Sequence, residues 1–381
     1  MKQTTRREFL TGGSAIALGA AIAPGLLRAG KVSSSSRRVF VGSHTENGIL
    51  IYDWDARTGT LAPAGVAARI PSVAWLTCSR DRDYIYSASE LDSFNGKPTG
   101  EVASFRVVGG KLEPLSARNS AGTGTCYVAL DRTERMLLAV DYVGANAASF
   151  RVKNGKLSEV VWSEHYTEHG PMADRQQTAH AHFASFSPDN RFAYINDLGG
   201  DSIHIYRPDP ATARMRPAGI YRSAAGAGPR TLHFHSNAHT AYCMNELNST
   251  VDVLEWSKSD GSLTLVKRIE LLPAGYSGPT YGCDTVISRD GRFVYFANRG
   301  DDFIYIFRAD AKSGELTPVK RTNCGGKMPR NFTLDPTERW MLVANQFSDA
   351  ISVFARDPET GLLAEEGKSI AAPKPMRILF V

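Results

Sequence analysis

Apolar and polar positions alternate along most of the chain in short runs, and polar turns separate the runs. In "AGPRTLHFHSNAHTAYCMNELNSTVDVLEW" (227–256) this alternation predicts three consecutive antiparallel strands. Arg230 opens the first of these strands and Glu246 closes the second. A charged residue at each of these places is unusual, because strands favour apolar and neutral side chains.

The same pattern returns five more times, which indicates internal repetition. The other copies lie at 71–90, 125–152, 180–208, 282–309 and 329–356. The residues that close the second strand of each copy are Glu90, Asp141, Asp197, Glu246, Arg299 and Gln346, at spacings of 51, 56, 49, 53 and 47. A repeat of about 50 residues that holds about four short strands is typical of a β-propeller.

The two ends of the chain supply a seventh copy. The chain ends in "KPMRILFV", which matches the first strand of a repeat, and "RRVFVGSHTENGILIYDWD" (37–55) matches the second and third strands. Pairing of the termini in one blade closes the ring and leaves no open sheet edge. The predicted fold is therefore all-β: a single seven-bladed β-propeller over residues 38–381, without a second domain.

Hairpin geometry brings charged residues from several repeats together. Residues equidistant from a hairpin turn face each other, so a turn centred on Ala238 pairs Arg230 with Glu246. The same arithmetic predicts three further neighbourhoods: His180 with Asp197, Arg330 with Asn345 and Gln346, and Arg299 with Thr280 and Tyr281. The first strand of each propeller blade is innermost, so these strand ends meet at one mouth of the central channel. That convergence predicts a functional site.

The charged groups at this mouth suit acyl chemistry. Arg230, Arg299 and Arg330 are planar donors for a carboxylate, a phosphate or a developing oxyanion. The candidate bases are Glu246, Asp197, His180 and His182. Together these groups are suited to activating water and stabilising the tetrahedral intermediate of ester or lactone hydrolysis. The structural alternative is that Arg230 and Glu246 only clasp two strands together.

Metal and serine chemistry are less favoured. Oxygen ligands at the strand ends resemble those of a divalent-cation ring, but three arginines at the same mouth oppose a cation. His180 and His182 have a spacing that some zinc sites use, yet no third His or Cys occurs at a matching place. No GxSxG motif is present. The sequence therefore predicts no metal and no cofactor.

The N-terminus carries an export pattern. Arg6 and Arg7 precede Glu8 and a weakly apolar run, which is typical of a twin-arginine signal. The alternative, a membrane anchor, is disfavoured because the run is shorter than a span of about 20 residues. We expect residues 1–29 to be a cleaved signal peptide, residues 30–37 to be a polar tether and the mature protein to be periplasmic.

Charge and cysteine content exclude two further classes. Cleavage lowers the net charge from +5 to +2, because four basic residues and one acidic residue leave. A nearly neutral chain without a long basic run does not predict nucleic-acid binding. The five cysteines are far apart and form no CxxC motif, so they are expected to be buried core thiols rather than a disulfide framework.

Several of these motifs resemble one known family. The stretches "GAGPR…FH…AYCMNELNSTVDVLEW", "H-A-H…FSPDNRFAYINDLGGDSIHIY" and "PRNFTLDPTERWMLVANQ" are similar to blade motifs of the bacterial seven-bladed propeller 6-phosphogluconolactonases, and the resemblance covers nearly all of 38–381. The same fold family includes the fungal carboxy-cis,cis-muconate lactonising enzymes. Their proposed catalytic residues are a histidine, two arginines and a glutamate, which by motif correspond to His180, Arg230, Glu246 and Arg299. The further substrate-binding candidates at this mouth are His182, Asp197, Arg330 and Gln346.

The resemblance implies a hydrolase that opens a small, sugar-derived lactone by water attack at the channel mouth. The expected partner is a small-molecule lactone or carboxylate. The mature protein is expected to have no membrane span. One stretch departs from the family pattern: "GTGTCYVAL" stands where the family more often has a proline and a histidine, so Thr125 and Tyr127 alter one side of the mouth. Export also separates the protein from phosphogluconolactone, which is made inside the cell. The alternatives are a muconate-type lactonising isomerase and a non-catalytic propeller that binds a ligand or a partner.

Overall fold

The fold is a ring of seven four-stranded antiparallel sheets. The structure is a computed structural model and describes residues 36–381, so the expected signal peptide lies outside the described residues. We number its strands β1 to β28 in chain order. Their bounds are Ser36–Ser43, Ile49–Asp55, Thr60–Ala68, Val73–Cys78, Tyr84–Ser89, Glu101–Val108, Lys111–Asn119, Thr125–Leu130, Met136–Asp141, Asn146–Lys153, Lys156–His165, Ala181–Phe186, Ala193–Asp197, Ser202–Asp209, Arg214–Arg222, Pro229–Phe234, Thr240–Asn245, Thr250–Trp256, Leu263–Glu270, Tyr281–Ile287, Phe293–Arg299, Phe303–Ala309, Leu316–Asn323, Pro329–Leu334, Trp340–Asn345, Ala350–Ala355, Lys368–Ala371 and Pro375–Phe380.

The last strand closes the ring, as the sequence predicts. Strand β28 pairs with β1, with Val39 opposite Phe380 and Phe40 opposite Leu379. The remaining blades use consecutive strands, β4–β7 through β24–β27. Strand β1 begins at Ser36, so the last two residues of the expected tether (30–37) already belong to this strand. The seven-bladed prediction is confirmed.

The innermost strands line the central channel. They are β4, β8, β12, β16, β20, β24 and β28, and each one contacts the innermost strands of the two neighbouring blades. The apolar core lies between adjacent blades. Trp54 of the first blade, for example, is fully buried and packs edge-on against Trp340 of the seventh, with ring centroids 6.2 Å apart. Burial between blades therefore fixes the positions of the strand ends around the channel.

A β-bulge interrupts every innermost strand near its start. The extra residues, which have no directly opposed partner, are Ala74, Cys126, His182, Arg230, the pair Cys283–Asp284, Arg330 and Met376. A bulge turns a side chain away from the regular alternation of the strand. Six of the seven bulges contribute to the wall of one cavity of about 20 Å³ on the channel axis. The bulges thus form a layer of side chains that face the channel.

A second layer of residues lies at the end of the second strand of each blade. In six blades the residue directly follows that strand, and in the sixth blade it is the last residue of the strand. These residues are His44, Glu90, Tyr142, Leu198, Glu246, Arg299 and Gln346, and the backbone of each pairs with the residue at or just before the start of its innermost strand. Asp141 and Asp197 lie one residue earlier and are fully buried. Since successive strand residues point to opposite faces, these two aspartates do not belong to the mouth layer. The structure therefore places Asp197 one residue before the position that Glu246 holds in its own blade, which Leu198 occupies.

The cysteines belong to the apolar core, and helix is almost absent from residues 36–381. All five cysteines are free thiols, and all except the half-buried Cys78 are buried. The one helical element among the described residues is a short 3-10 turn, Gln346–Ser348. Nowhere in 36–381 is there a helix of the length and apolarity that crossing a membrane demands.

Candidate active site

Three arginines surround Glu246 at the channel mouth. Arg230 Nε lies 2.8 Å from Glu246 Oε2, and Arg299 Nη2 lies 2.6 Å from the same oxygen. Arg175 Nη2 lies 2.6 Å from the other oxygen, Oε1. The contacts come from three segments of the chain: the innermost strand of the fifth blade, the second strand of the sixth, and the segment between β11 and β12. Both carboxylate oxygens are therefore held by cations.

The cluster is buried and carries excess positive charge. Arg230, Glu246 and Arg299 are each no more than 5% exposed. Burial alone would raise the pKa of this carboxyl, but the charges of Arg299, Arg175 and Arg230 hold the pKa well below its usual range. Three guanidinium groups against one carboxylate leave two positive charges at the mouth. Such a site attracts an anion or an oxygen that becomes negative during a reaction.

Strand geometry explains how Arg230 reaches Glu246. Glu246 is paired through its backbone N–H with Gly228, at 2.8 Å, rather than directly opposite Arg230. The ladder has Pro229 opposite Asn245 and Thr231 opposite Met244, so Arg230 is the bulged residue. The ion pair predicted from the sequence is present, but the bulge brings it about instead of direct cross-strand pairing. The guanidinium also donates from Nη1 to the carbonyl of Cys283 in the next blade.

Arg175 is the functional candidate that the sequence analysis missed. It lies in the irregular segment 166–180, where no strand or helix periodicity marks a residue as inward-facing. The neighbouring Gln176 is buried and fixes this segment: its Nε2 donates to the carbonyl of Leu198 at 2.9 Å and to Asp201 Oδ1 at 2.8 Å. Arg175 is consequently held by an irregular segment and not by a strand of a blade. Its side chain is 23% exposed and is the most accessible of the three arginine side chains.

An aromatic ring supports two of the arginines. The guanidinium carbon of Arg175 lies 5.5 Å from the ring centroid of Tyr281, and that of Arg299 lies 5.7 Å from it. These are cation–π distances. Tyr281 also stands directly opposite Arg299 in the β20–β21 ladder, as the hairpin arithmetic predicts. The ring helps to hold both cations beside Glu246.

Tyr142 joins the two candidate histidines to this cluster. The imidazole of His180 stacks on the Tyr142 ring with centroids 4.3 Å apart and an interplanar angle of 4°, while His182 meets that ring edge-on at 5.6 Å. The hydroxyl of Tyr142 lies 3.5 Å from Arg175 Nη2. His180 Nδ1 is 2.9 Å from the Tyr142 carbonyl oxygen. A carbonyl only accepts, so Nδ1 carries the proton and Nε2 carries the lone pair when the ring is neutral.

A second charged cluster occupies the other side of the mouth. Arg330 Nη2 lies 3.6 Å from Glu90 Oε1, and His44 Nε2 lies 3.5 Å from Glu90 Oε2. Arg330 and Arg230 both line the cavity on the channel axis, together with His182. Arg330 therefore lies at the site as predicted, but its carboxylate neighbour is Glu90, two blades away from its own. Gln346 is buried in the mouth layer of the Arg330 blade.

Asp197 belongs to a different group. Its Oδ1 accepts from the backbone N–H of His180 at 2.7 Å, and burial raises the pKa of Asp197 to about 6. Within residues 36–381, Asp197, Glu168 and His204 form the one group of such side chains compact enough for a metal ion, with ligand atoms within 4.8 Å of one another. Arg222 makes a two-pronged contact with the Glu168 carboxylate, with its Nη2 at 2.7 Å. This contact neutralises the Glu168 carboxylate, which is more exposed than the carboxylate of Asp197.

Comparison with known proteins agrees with this architecture. The family model described as a lactonase with a seven-bladed β-propeller matches residues 38–380. A 6-phosphogluconolactonase of Bacillus subtilis is 29% identical over 348 residues, which cover 90% of this chain and 97% of that protein. A 6-phosphogluconolactonase of Formosa agariphila is 29% identical over 337 residues, covering 85% and 94%. The solved structure of a periplasmic gluconolactonase of Pseudomonas aeruginosa is 31% identical with a TM-score of 0.86, covering 91% of this chain and 99% of that one.

Proposed function

The chain belongs to the seven-bladed β-propeller lactonase family, and from that premise we propose that it is a lactone hydrolase acting at the channel mouth. The proposed substrate is a small, sugar-derived lactone. The relatives named 6-phosphogluconolactonase and the structure named gluconolactonase support this class of substrate. The Glu246 cluster supplies the chemical argument.

The observation that carries the proposal is the buried excess of positive charge around Glu246. Hydrolysis of a lactone places negative charge first on the carbonyl oxygen and then on the carboxylate product. Preorganised donors in a site that excludes water stabilise such charge more than they stabilise the neutral substrate. Arg230 and Arg299 are rigidly held and almost fully buried, so they are the proposed donors to the developing oxyanion.

The depressed pKa of Glu246 decides its role. A carboxylate whose pKa lies far below neutrality is a weak base, and general bases work best when the pKa lies near the operating pH. Glu246 is therefore proposed to hold Arg230 and Arg299 in place. His180 is proposed as the general base, because its bond to the Tyr142 carbonyl keeps the lone pair on Nε2.

The proposed reaction has two steps. The His180 Nε2 lone pair takes a proton from water while the water oxygen bonds to the lactone carbonyl carbon, and the carbonyl π electrons move to the oxygen beside the arginines. The tetrahedral intermediate then collapses: the bond from the carbonyl carbon to the ring oxygen breaks, and the ring oxygen receives the proton that His180 holds. The product is a hydroxy acid, whose carboxylate forms as a further proton is released to solvent. His182, which lines the same cavity, is proposed to orient the substrate.

The proposal is tested by measuring acid release from purified protein across sugar lactones, phosphorylated sugar lactones and aliphatic lactones. Hydrolysis above the uncatalysed rate, abolished by His180→Ala, is expected for at least one sugar lactone. A control is His165→Ala, a histidine outside the mouth whose Nδ1 bonds the Gly144 carbonyl at 3.1 Å. Absence of catalysed release from every lactone would overturn the proposal and favour a non-catalytic binding propeller.

A further inference from the structure

Asp201 joins three parts of the chain that meet at the channel mouth. It is buried in the short connection between β13 and β14 of the fourth blade. Its Oδ1 accepts hydrogen bonds from Gln176 Nε2 and from the backbone N–H of Gly228, each at 2.8 Å. Its Oδ2 accepts from the backbone N–H of Gly226 at 2.7 Å. One carboxylate therefore connects the fourth blade to two irregular segments of the chain.

Each of these segments carries or leads to an arginine of the Glu246 cluster. Arg175 directly precedes Gln176, and Arg230 follows Gly228 by two residues. The carbonyl oxygen of Gly228 also accepts the backbone N–H of Glu246 at 2.8 Å. The carboxylate of the fourth blade is therefore linked to two of the arginines and to the glutamate by hydrogen bonds to residues close to them in the chain.

The same connection occurs at two other junctions between blades. Asp302 Oδ1 accepts from the backbone N–H of Met328, and Asp349 Oδ1 accepts from that of Lys374, each at 2.8 Å. All three aspartates have a left-handed backbone, with φ between 48° and 60°. In all three cases the donor is the residue before the proline that begins the next innermost strand. An aspartate at this place therefore fixes the start of the next innermost strand.

The strand that Asp201 fixes carries a proposed donor to the oxyanion. Arg230 is the bulged residue of that strand, whereas Met376 is the bulged residue of the strand that Asp349 fixes. The other bond of the Asp201 Oδ1 atom holds the segment of Arg175. A displacement of about 1 Å in such groups can lower a rate by about a hundredfold. The positions of both arginines therefore depend on this one side chain.

We propose that Asp201 is a positioning residue for the reaction, which holds Arg175 and Arg230 in the arrangement around Glu246 that stabilises the transition state. The inference rests on the proposed function and concerns the same site. Asp201 takes no proton from water in this role. Its three hydrogen-bond partners are neutral N–H groups, so it acts on the substrate through the arginines.

Asp201→Asn is the direct test, because the amide keeps the size of the side chain and turns one acceptor oxygen into a donor. Both oxygens of Asp201 accept from N–H groups, so at least one of the three bonds is lost in either orientation of the amide. Steady-state kinetics on the most rapidly hydrolysed lactone should show a kcat about tenfold to a hundredfold below that of the wild type. KM should change little, since the arginines stabilise the transition state more than the substrate.

Two other aspartates provide matched controls. Asp349→Asn changes the same connection at the junction whose strand carries Met376. Asp335→Asn changes a buried carboxylate in the turn after β24, at the opposite end of the strands from the mouth, which accepts from the backbone N–H groups of Arg339 and Trp340 at 3.1 Å each. Both controls should lower the melting temperature and leave kcat unchanged.

A second set of variants decides the matter if Asp201→Asn does not fold. Gln176→Leu removes the bond that joins the segment of Arg175 to Asp201 and leaves the bonds from Gly226 and Gly228 in place. It should lower kcat/KM about as much as Arg175→Gln, by about tenfold to a hundredfold. The double variant Arg175→Gln/Gln176→Leu should lose no more than Arg175→Gln alone, because both changes remove the same arginine from its place.

Three results would overturn the role of Asp201 and leave the lactonase proposal in place. These are a wild-type kcat in Asp201→Asn, an equal loss of kcat in Asp201→Asn and Asp349→Asn, and losses that multiply in the Arg175→Gln/Gln176→Leu variant. Absence of activity in the wild-type protein on every lactone counts instead against the proposed function.

Discussion

Arg175 and Glu246 are 71 residues apart in the chain, yet Arg175 Nη2 lies 2.6 Å from Glu246 Oε1. Arg230 and Arg299 both contact the other oxygen, so Arg175 alone covers Oε1 among the three arginines. Its side chain is 23% exposed, compared with 6% for each of the other two. Of these three arginines, Arg175 is therefore the most accessible from solvent.

Removal of Arg175 should weaken catalysis without disturbing the ring. Arg175→Gln is expected to lower kcat/KM for the best lactone by about tenfold to a hundredfold, because a charge-assisted hydrogen bond to the carboxylate or the substrate is lost. The matched control is Arg222→Gln, which removes an arginine paired with Glu168 outside the mouth. Steady-state kinetics on both variants check this. Equal kinetics in Arg175→Gln and wild type would mean that the contact with Glu246 plays no part in turnover.

The difference between Arg175 and the other site residues shows what the sequence can and cannot predict. The blades, their number and the terminal closure follow from the alternation and its recurrence, because each repeat must bury one face against its neighbours. Arg230, Glu246 and Arg299 follow from the same repeats. Arg175 lies in the irregular segment 166–180, where no period relates position to direction. Only the packing of Gln176 against Leu198 and Asp201 brings it to the mouth.

The exact strand register is the second feature that the sequence does not predict. Counting from the hairpin turn locates a strand end to within a residue or two, but the side chains of adjacent residues point to opposite faces. Such counting groups Asp197 with Glu246, although Leu198 holds the equivalent position. The bulge at Arg230 is likewise invisible in the pattern, since one extra residue leaves the alternation on either side intact.

Asp141 should make the stability of the protein depend on pH. Burial is the main cause that raises the pKa of Asp141 to about 7, although Thr125 Oγ1 donates to it at 2.6 Å. The folded state therefore holds this proton more tightly than the unfolded chain does. The stabilisation is fully present below the unfolded pKa and is lost as the pH rises through about 7.

Asp141→Asn tests this linkage, because the amide resembles the protonated carboxyl and does not titrate. Denaturant unfolding between pH 4 and pH 8 should show a decline in the wild-type free energy of unfolding, on the order of 4 kcal/mol at most from this group, and a smaller decline in the variant. Asp131→Asn is the control, since the pKa of Asp131 is lowered and cannot produce a decline in this direction. If the free energy of unfolding of Asp141→Asn declines as much as that of the wild type, the pH dependence comes from other groups.

Deletion of residues 376–381 should prevent folding rather than weaken it slightly. This removes most of β28, whose backbone pairs with β1 and whose Met376, Ile378 and Leu379 are buried. The ring then has an open edge and an exposed channel wall. Deletion of Val381 alone, which contributes a single backbone bond to Arg38 at 3.1 Å, should be tolerated. A soluble, cooperatively melting 1–375 chain would contradict the importance of terminal closure.

We also propose that the protein is exported through the twin-arginine pathway to the periplasm. Replacement of Arg6 and Arg7 by lysine keeps the charge and removes the arginine pair that this signal requires, so the precursor should stay in the cytoplasm. The chain offers a matched control in its other arginine pair, Arg37 and Arg38, whose replacement by lysine should not alter export. Fractionation with an antibody to the folded domain measures both. Export of the Arg6→Lys/Arg7→Lys precursor at the wild-type level would rule out this route.

Variants of Arg230 and Glu246 should distinguish a role in catalysis from a role in clasping two strands together. Because both side chains are buried, Glu246→Gln leaves three arginines without their anion, and the expected cost is about 3–5 kcal/mol of folding stability. Arg230→Lys keeps the charge but loses the planar fork. Each variant should lower kcat by about a hundredfold to a thousandfold, the usual effect of losing an oxyanion donor or its support.

A double-mutant cycle then distinguishes the two roles. Arg230→Gln/Glu246→Gln removes one cation together with the carboxylate, so it should recover part of the stability that Glu246→Gln loses. It should recover none of the activity, because the donor to the oxyanion is still absent. Thermal melts and lactone kinetics on Arg230→Gln, Glu246→Gln and the double variant measure both effects. If activity returns together with stability, Arg230 and Glu246 serve only to join two strands, and the reacting groups must be sought on the opposite side of the mouth, at Glu90 and Arg330.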